Sequence, residues 1–276
     1  MFQQRYTLFI IAFFAFLLHQ NINLSAQCVI GNSTFKPGEE ITYVISYNWF
    51  IVWSEVGEVK FKVEETTYKD KPVYHYSATG KTYDSWNWIF PVEDHYRTYV
   101  DKETLRPYFF RRDIREGNFR ELDSYEFNWD NNSAISNYKV NDHDLKIDTL
   151  KVTSCTFDVM SALLFARNMK YDGLQPGDTI HVTVILDKEL YYLYFRYQGI
   201  ENIKVKHVGE FECMKFSVLL IEGTMFHEGE NLVLWVTHDK NHIPIYAESP
   251  ILVGSVKARI LNVKGNRYPF TSLKKE

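Results

Sequence analysis

Residues 56–63 read VGEVKFKV, and within them Val59, Phe61 and Val63 alternate with Lys60 and Lys62. A period of two puts the three apolar side chains on one face of an extended strand and the two lysines on the other. The pattern recurs on both sides of this stretch. Residues 41–50 (ITYVISYNWF), 73–80, 95–100, 108–112 and 119–129 carry it in the first half. Residues 180–186 (IHVTVIL), 190–197 (LYYLYFRY), 211–221, 232–237, 243–247 and 255–263 carry it in the second. Short polar clusters such as Asp130-Asn131-Asn132 and Asp239-Lys240-Asn241 fall between runs, where hairpin turns belong. Pro72, Pro91, Pro107, Pro176 and Pro244 stand at run edges, where a missing N–H does no harm.

So many strands cannot lie side by side in a flat sheet; they curl, close or split into two packed sheets. The fold expected is mainly β: a curved antiparallel sheet, an incomplete barrel or a sandwich, with one principal α-helix. No Ser/Pro-rich linker or internal repeat divides the chain, so residues 27–276 are expected to form a single β-rich domain. In 190–197, Leu190, Tyr192 and Tyr194 share one face and Tyr191, Leu193, Phe195 and Tyr197 the other. Both faces are apolar or aromatic, so neither is expected to be washed by water.

The helix is read from residues 154–168, SCTFDVMSALLFARN. Phe157, Val159, Met160, Ala162, Leu163, Leu164, Phe165 and Ala166 make it apolar almost all round, which requires burial on most sides. Thr156 is the expected N-cap, Asp158 suits the first turn, and Arg167 suits the C-terminal end of the dipole. Such a helix is either a plug in the core or a lid over a cavity.

The chain opens with Arg5, an unbroken apolar run from Leu8 to Leu18, and Leu24-Ser25-Ala26. That is the layout of a secretory signal peptide over residues 1–26, with an apolar run too short to span a bilayer. Cleavage after Ala26 would release a periplasmic or secreted protein; acylation of Cys28 is the alternative. The 31 basic residues less Arg5 leave 30 against 35 acidic ones. No basic cluster suits nucleic acid, and no later apolar run reaches membrane-spanning length. Cys28, Cys155 and Cys213 all lie beyond the signal, so one thiol is left over from any disulfide.

Three further stretches stand in order: 35–61 (FKPGEEITYVISYNWFIVWSEVGEVKF), 155–168 (CTFDVMSALLFARN) and 232–260 (LVLWVTHDKNHIPIYAESPILVGSVKARI). They carry Gly38-Glu39 before a long strand, a D-x-x-S-x-L helix at Asp158, Ser161 and Leu163, and a W-x-T-x-D turn at Trp235, Thr237 and Asp239 followed by Ile243-Pro244. This set resembles the bacterial envelope family catalogued as domain of unknown function 3108, in the form common among Bacteroidetes. The resemblance implies an exported, mostly β protein of a diderm envelope, and it implies no catalytic residue.

Candidate chemistry is sparse. Cys155 precedes the expected cap, outside the reach of the helix amides, and Asp158 opposes thiolate formation, so a nucleophile is not expected. A disulfide from Cys155 to Cys28, or a buried thiol, is the expectation. His227, His238 and His242 with Glu228 and Asp239 invite a metal reading, but His238 and His242 flank a turn between strands and need not converge, so no metal site is expected. Trp49, Trp53, Trp86 and Trp88 suit sugar stacking as well as a β core. Nothing fixes the separation of Glu39-Glu40 or Glu64-Glu65 as a hydrolytic pair, and phosphate loops, nucleophile elbows and dinucleotide fingerprints are missing. The expectation is a non-enzymatic, cofactor-free envelope protein that binds a hydrophobic or amphiphilic, lipid-like molecule or an outer-membrane partner. Phe157, Met160, Leu164, Tyr192, Tyr194, Trp86 and Trp88 are the candidate lining residues. The alternatives are a glycan-binding or glycan-processing protein and an assembly factor for another envelope protein.

Overall fold

The computed structural model describes residues 29–49, 52–220, 229–251 and 254–274. The signal peptide read at 1–26, Cys28 and His227 lie outside these residues. The first arm of the sheet holds β1 (Glu40–Trp49), β2 (Val52–Tyr68), β3 (Lys71–Thr82), β4 (Glu93–Asp101), β5 (Pro107–Glu116), β6 (Phe119–Asn128), β7 (Ser133–Val140) and β8 (Lys146–Lys151). Next come the two-residue β9 (Thr156–Phe157) and the helix α1 (Val159–Asn168). The second arm holds β10 (Thr179–Leu186), β11 (Glu189–Val205), β12 (Gly209–Leu220), β13 (Gly229–Thr237), β14 (Pro244–Pro250) and β15 (Ser255–Lys264).

All 15 strands belong to one sheet, ordered β8-β7-β6-β5-β4-β3-β2-β1-β15-β14-β13-β12-β11-β10-β9. Each arm is therefore a meander of neighbours in sequence, and the arms join through the antiparallel pairing of β1 with β15, as in Ile41 opposite Val263. The two outer strands, β8 and β9, are separated by only residues 152–155. Such a link reaches about 18 Å at most, whereas the edges of a flat sheet of this size would stand roughly 67 Å apart. The sheet has to curl until its edges nearly meet, so of the forms the sequence left open it is a single curved sheet, an incomplete barrel, and not a sandwich.

The helix fills the hollow. Met160 and Leu164 pack into a core with Val63 of β2, Tyr76 and Ala78 of β3, Phe110 of β5 and Tyr125 of β6. On its other side Phe165 meets Phe157, with ring centroids 4.4 Å apart, above Val182 and Val184 of β10. VGEVKFKV sits within β2 as its alternation requires, with Val63 at 1% exposure inside the core. The double apolarity of 190–197 also has a structural basis. Leu193 and Phe195 lean on the helix cluster, while Leu190 on the opposite face joins the main core with its cross-strand partner Ile185. Tyr192 is the departure, 69% exposed.

One local expectation needs correcting. The N-cap is Asp158 and not Thr156, because Thr156 and Phe157 are held extended by parallel pairing with Thr183 and Val184. The cap is reciprocal. Asp158 Oδ1 accepts from the Met160 and Ser161 amides at 2.8 and 2.9 Å, and Ser161 Oγ accepts from the Asp158 amide at 3.0 Å.

Candidate functional site

The three patterns behind the family resemblance converge on the helix. Gly38 has φ +90°, a conformation natural to glycine, and its amide donates to the Val63 carbonyl at 2.8 Å. That turn sends Glu39 inward, where it is 1% exposed. There it meets Arg167, itself 4% exposed, in a two-pronged ion pair whose Nη2–Oε2 arm measures 3.0 Å. The guanidinium also donates to the Asn241 carbonyl, from Nε at 3.3 Å and Nη2 at 3.1 Å. Burial works against the arginine's charge, but the Glu39 carboxylate outweighs it and holds the pKa above its ordinary value.

The turn that supplies this carbonyl is buried as well. Asp239 accepts from Thr237 Oγ1 at 3.0 Å, the Asn241 amide at 2.9 Å and Ser272 Oγ at 2.7 Å. Asn241 in turn exchanges two hydrogen bonds with the Tyr268 backbone. At the other end of α1, Asp158 binds Thr98 Oγ1 of β4 and Ser161 Oγ, each at 2.8 Å. The motif residues thus fasten the helix at both ends.

Burial pushes the Asp158 carboxyl up to about 6 against the pull of its four donors. A carboxyl with a raised folded pKa is stabilising in its protonated form, so its contribution is lost as pH rises from about 4 to about 6. Asp158→Asn, which carries no such charge, removes that slope. Between pH 4 and pH 7 the wild-type protein should lose about 2 kcal/mol relative to the variant in urea unfolding. Parallel pH profiles for the two proteins would show that Asp158 does not titrate in this range.

Where α1 ends, the surface opens into a cleft of about 600 Å³. Val29, Ile30, Leu174, Tyr197, Ile200 and Met214 supply apolar wall, while Asn168, Lys170, His238 and His242 supply polar wall. Val29 and Ile200 are 51% and 47% exposed, so the apolar wall reaches the mouth. The floor is tightly built. Asn168 accepts from the amides of Ser33 at 2.6 Å and Thr34 at 3.2 Å, which ties the N-terminal segment to the helix end. His242 Nδ1 lies 2.7 Å from the Arg167 carbonyl, so this nitrogen carries the proton, and burial lowers the imidazole pKa. Tyr171 packs edge-on against that ring at 5.0 Å and donates its hydroxyl to the Ala166 carbonyl. His238 Nδ1 lies 2.7 Å from Glu212 Oε1.

None of the seven candidate lining residues lies in this cleft. Phe157, Met160 and Leu164 are 1%, 3% and 0% exposed within the packed core. Tyr192 and Tyr194 stand on β11, the latter half-buried. Trp86 is half-buried and Trp88 is 81% exposed in the connection between β3 and β4, where the Trp88 indole N–H is taken up by the Ser85 carbonyl at 2.9 Å. Ile89 and Phe90 are exposed beside it. Among the described residues, no three His, Cys, Asp or Glu side chains gather to hold a metal, and no helix is long and apolar enough to cross a membrane. Cys213 is a buried free thiol, pushed up to about 12 by its burial.

The pairing of Arg167 was missed at the sequence level, although a lone arginine in an apolar helix was its signal. Lys170, Ile200 and Met214 gave none, because the cleft is assembled from separate segments.

The sequence profile of a family of proteins of unknown function (DUF3108) matches residues 42–260. No functionally curated protein matches the chain. Among solved structures, the crystal structure of a β-barrel-like protein of domain of unknown function DUF1849 from Brucella abortus is similar, with a TM-score of 0.54 at 7% identity. The similarity covers 84% of this chain and 98% of that one. At that identity it is the architecture that is shared.

Proposed function

The chain belongs to the DUF3108 family, and from that premise we propose that it is an exported, non-enzymatic envelope protein that binds an amphiphilic, lipid-like molecule. The observation that carries this reading is the cleft at the end of α1, where apolar side chains run from the floor to an exposed lip beside Lys170 and two histidines. A ligand with an apolar tail and a polar head matches that division, and a purely polar solute would leave the lip in water. The rest of the reading belongs with it: signal cleavage near Ala26, residence in the periplasm or outside, membership of the form common in Bacteroidetes, and a Cys28–Cys155 bridge. The packing of Ile30 against the cluster that holds Phe157 supports the bridge, since it brings the N-terminal segment to β9.

Protein purified natively from envelope fractions should show, by mass spectrometry, an N-terminus at Gln27, one disulfide and a copurified amphiphile. The delipidated protein should take up a fluorescent fatty acyl probe. Ile200→Glu, at the half-exposed lip, should weaken that uptake about tenfold or more through loss of apolar contact. Absence of both copurified lipid and probe uptake would overturn the reading. A copurified glycan would move it to the exposed Trp88 instead.

A further inference from the structure

The curled sheet leaves a seam that its backbone hydrogen bonds do not close, because the β10–β11 hairpin pairs with none of β5 to β8. Beside the apolar packing of Ile185 and Leu190, polar side chains cross that seam at the β10–β11 turn. Asp187 and Lys188 form a two-residue turn with φ +50° and +66°, and the turn lies against the first arm. Asp187 pairs with Arg112 of β5. The Lys188 amide donates to the Tyr125 hydroxyl of β6 at 3.1 Å, and that hydroxyl donates to Asp123 Oδ2 at 2.6 Å. Lys188 Nζ lies 3.9 Å from Asp148 of β8 and 5.0 Å from the ring centroid of Tyr138 on β7.

The charges in this contact do not balance. Arg112 faces three carboxylates, those of Glu121, Asp123 and Asp187. Arg112 and Glu121 are each 11% exposed and Asp123 is fully buried, whereas Asp187 is half-exposed. Glu121 Oε1 has the Arg112 guanidinium as its ion-pair partner, while Asp123 Oδ1 is buried without a hydrogen-bond partner. Tyr96 and Asp94 on β4, Tyr125 on β6 and Tyr138 on β7 also face the arginine, and none of them adds positive charge. Two buried carboxylates competing for one guanidinium are relieved when one of them takes a proton, which also supplies a donor.

We propose that the Asp187–Lys188 turn is a proton-responsive clasp across the open seam of the barrel, shut while the buried carboxylates beside Arg112 hold a proton and loosened as pH rises and both ionise. The direction follows from the burial of Glu121 and Asp123, which raises both pKa values and favours their protonated forms in the closed state. Closure gained this way is present in mild acid and is lost as pH rises through the raised values. Opening would free the hairpin that holds Ile185 and Leu190 in the core, so the clasp governs access to the core across the seam, opposite the joint of β1 with β15.

Hydrogen exchange on the whole mature chain, corrected for intrinsic rates, tests this. Amides of residues 185–191 should exchange about tenfold faster at pH 8 than at pH 5, which corresponds to about 1.4 kcal/mol of opening free energy. Glu121→Gln combined with Asp123→Asn should abolish the difference. Equal protection of the wild type at both pH values, or an unchanged difference in the double variant, would overturn the clasp. Should the double variant fail to fold, Asp187→Asn serves, since its site is half-exposed. It should exchange fast at both pH values, and wild-type protection in that variant would equally overturn the proposal.

Discussion

Glu39→Ala is expected to destabilise the protein by about 3–5 kcal/mol, because it leaves a buried guanidinium without its counter-charge. Arg167 would keep only the Asn241 carbonyl, which satisfies part of its donor set and none of its charge. Replacing both partners with apolar residues of similar size, as in Glu39→Leu with Arg167→Met, is expected to cost much less, since no orphaned charge remains. Urea unfolding of the single and double variants makes the comparison directly. A loss below about 1 kcal/mol for Glu39→Ala would mean that the pair is not what fastens the helix.

Leu164→Ala should cost a similar amount, about 3–5 kcal/mol, for a different reason. Leu164 is fully buried among side chains of the first arm, and a rigid sheet collapses poorly onto the space left behind. Leu163 on the same helix is 40% exposed, so Leu163→Ala is the control and should cost under about 1 kcal/mol. The two variants also separate the two sequence readings of this helix. A lid over a cavity would give a small loss at Leu164 and a gain in probe uptake; a plug gives a large loss and no gain.

How far the sequence could be read depended on what each residue faces. The β2 pattern was legible because one face of that strand packs inward while the lysines of VGEVKFKV stay outside. Strand β8, KIDTLK, was not, because it is an edge strand exposed along almost its whole length and carries no burial signal. The cap went to Thr156 in the sequence reading because local preference cannot anticipate the strand pairing that holds Thr156 extended. The Glu39–Arg167 contact spans 128 positions, beyond any periodicity. The candidate lining residues were chosen for apolarity, and apolarity reports burial rather than concavity. Phe157, Met160 and Leu164 are therefore core, and the cleft lies among residues that no pattern distinguishes.

The pairing of β1 with β15 has a consequence for how the chain reaches this state. Each arm is built from hairpins that form between neighbours in sequence, which are quick to find one another. The joint between the arms pairs Glu40 with Lys264 and has to wait for almost the entire chain. Until the last strand is present, β1 and β14 each offer an unpaired edge, the kind of surface on which chains aggregate. A chain threaded through a membrane from its N-terminus would carry both open edges until its C-terminal strand arrives. The vulnerable moment in the life of this barrel is therefore its completion.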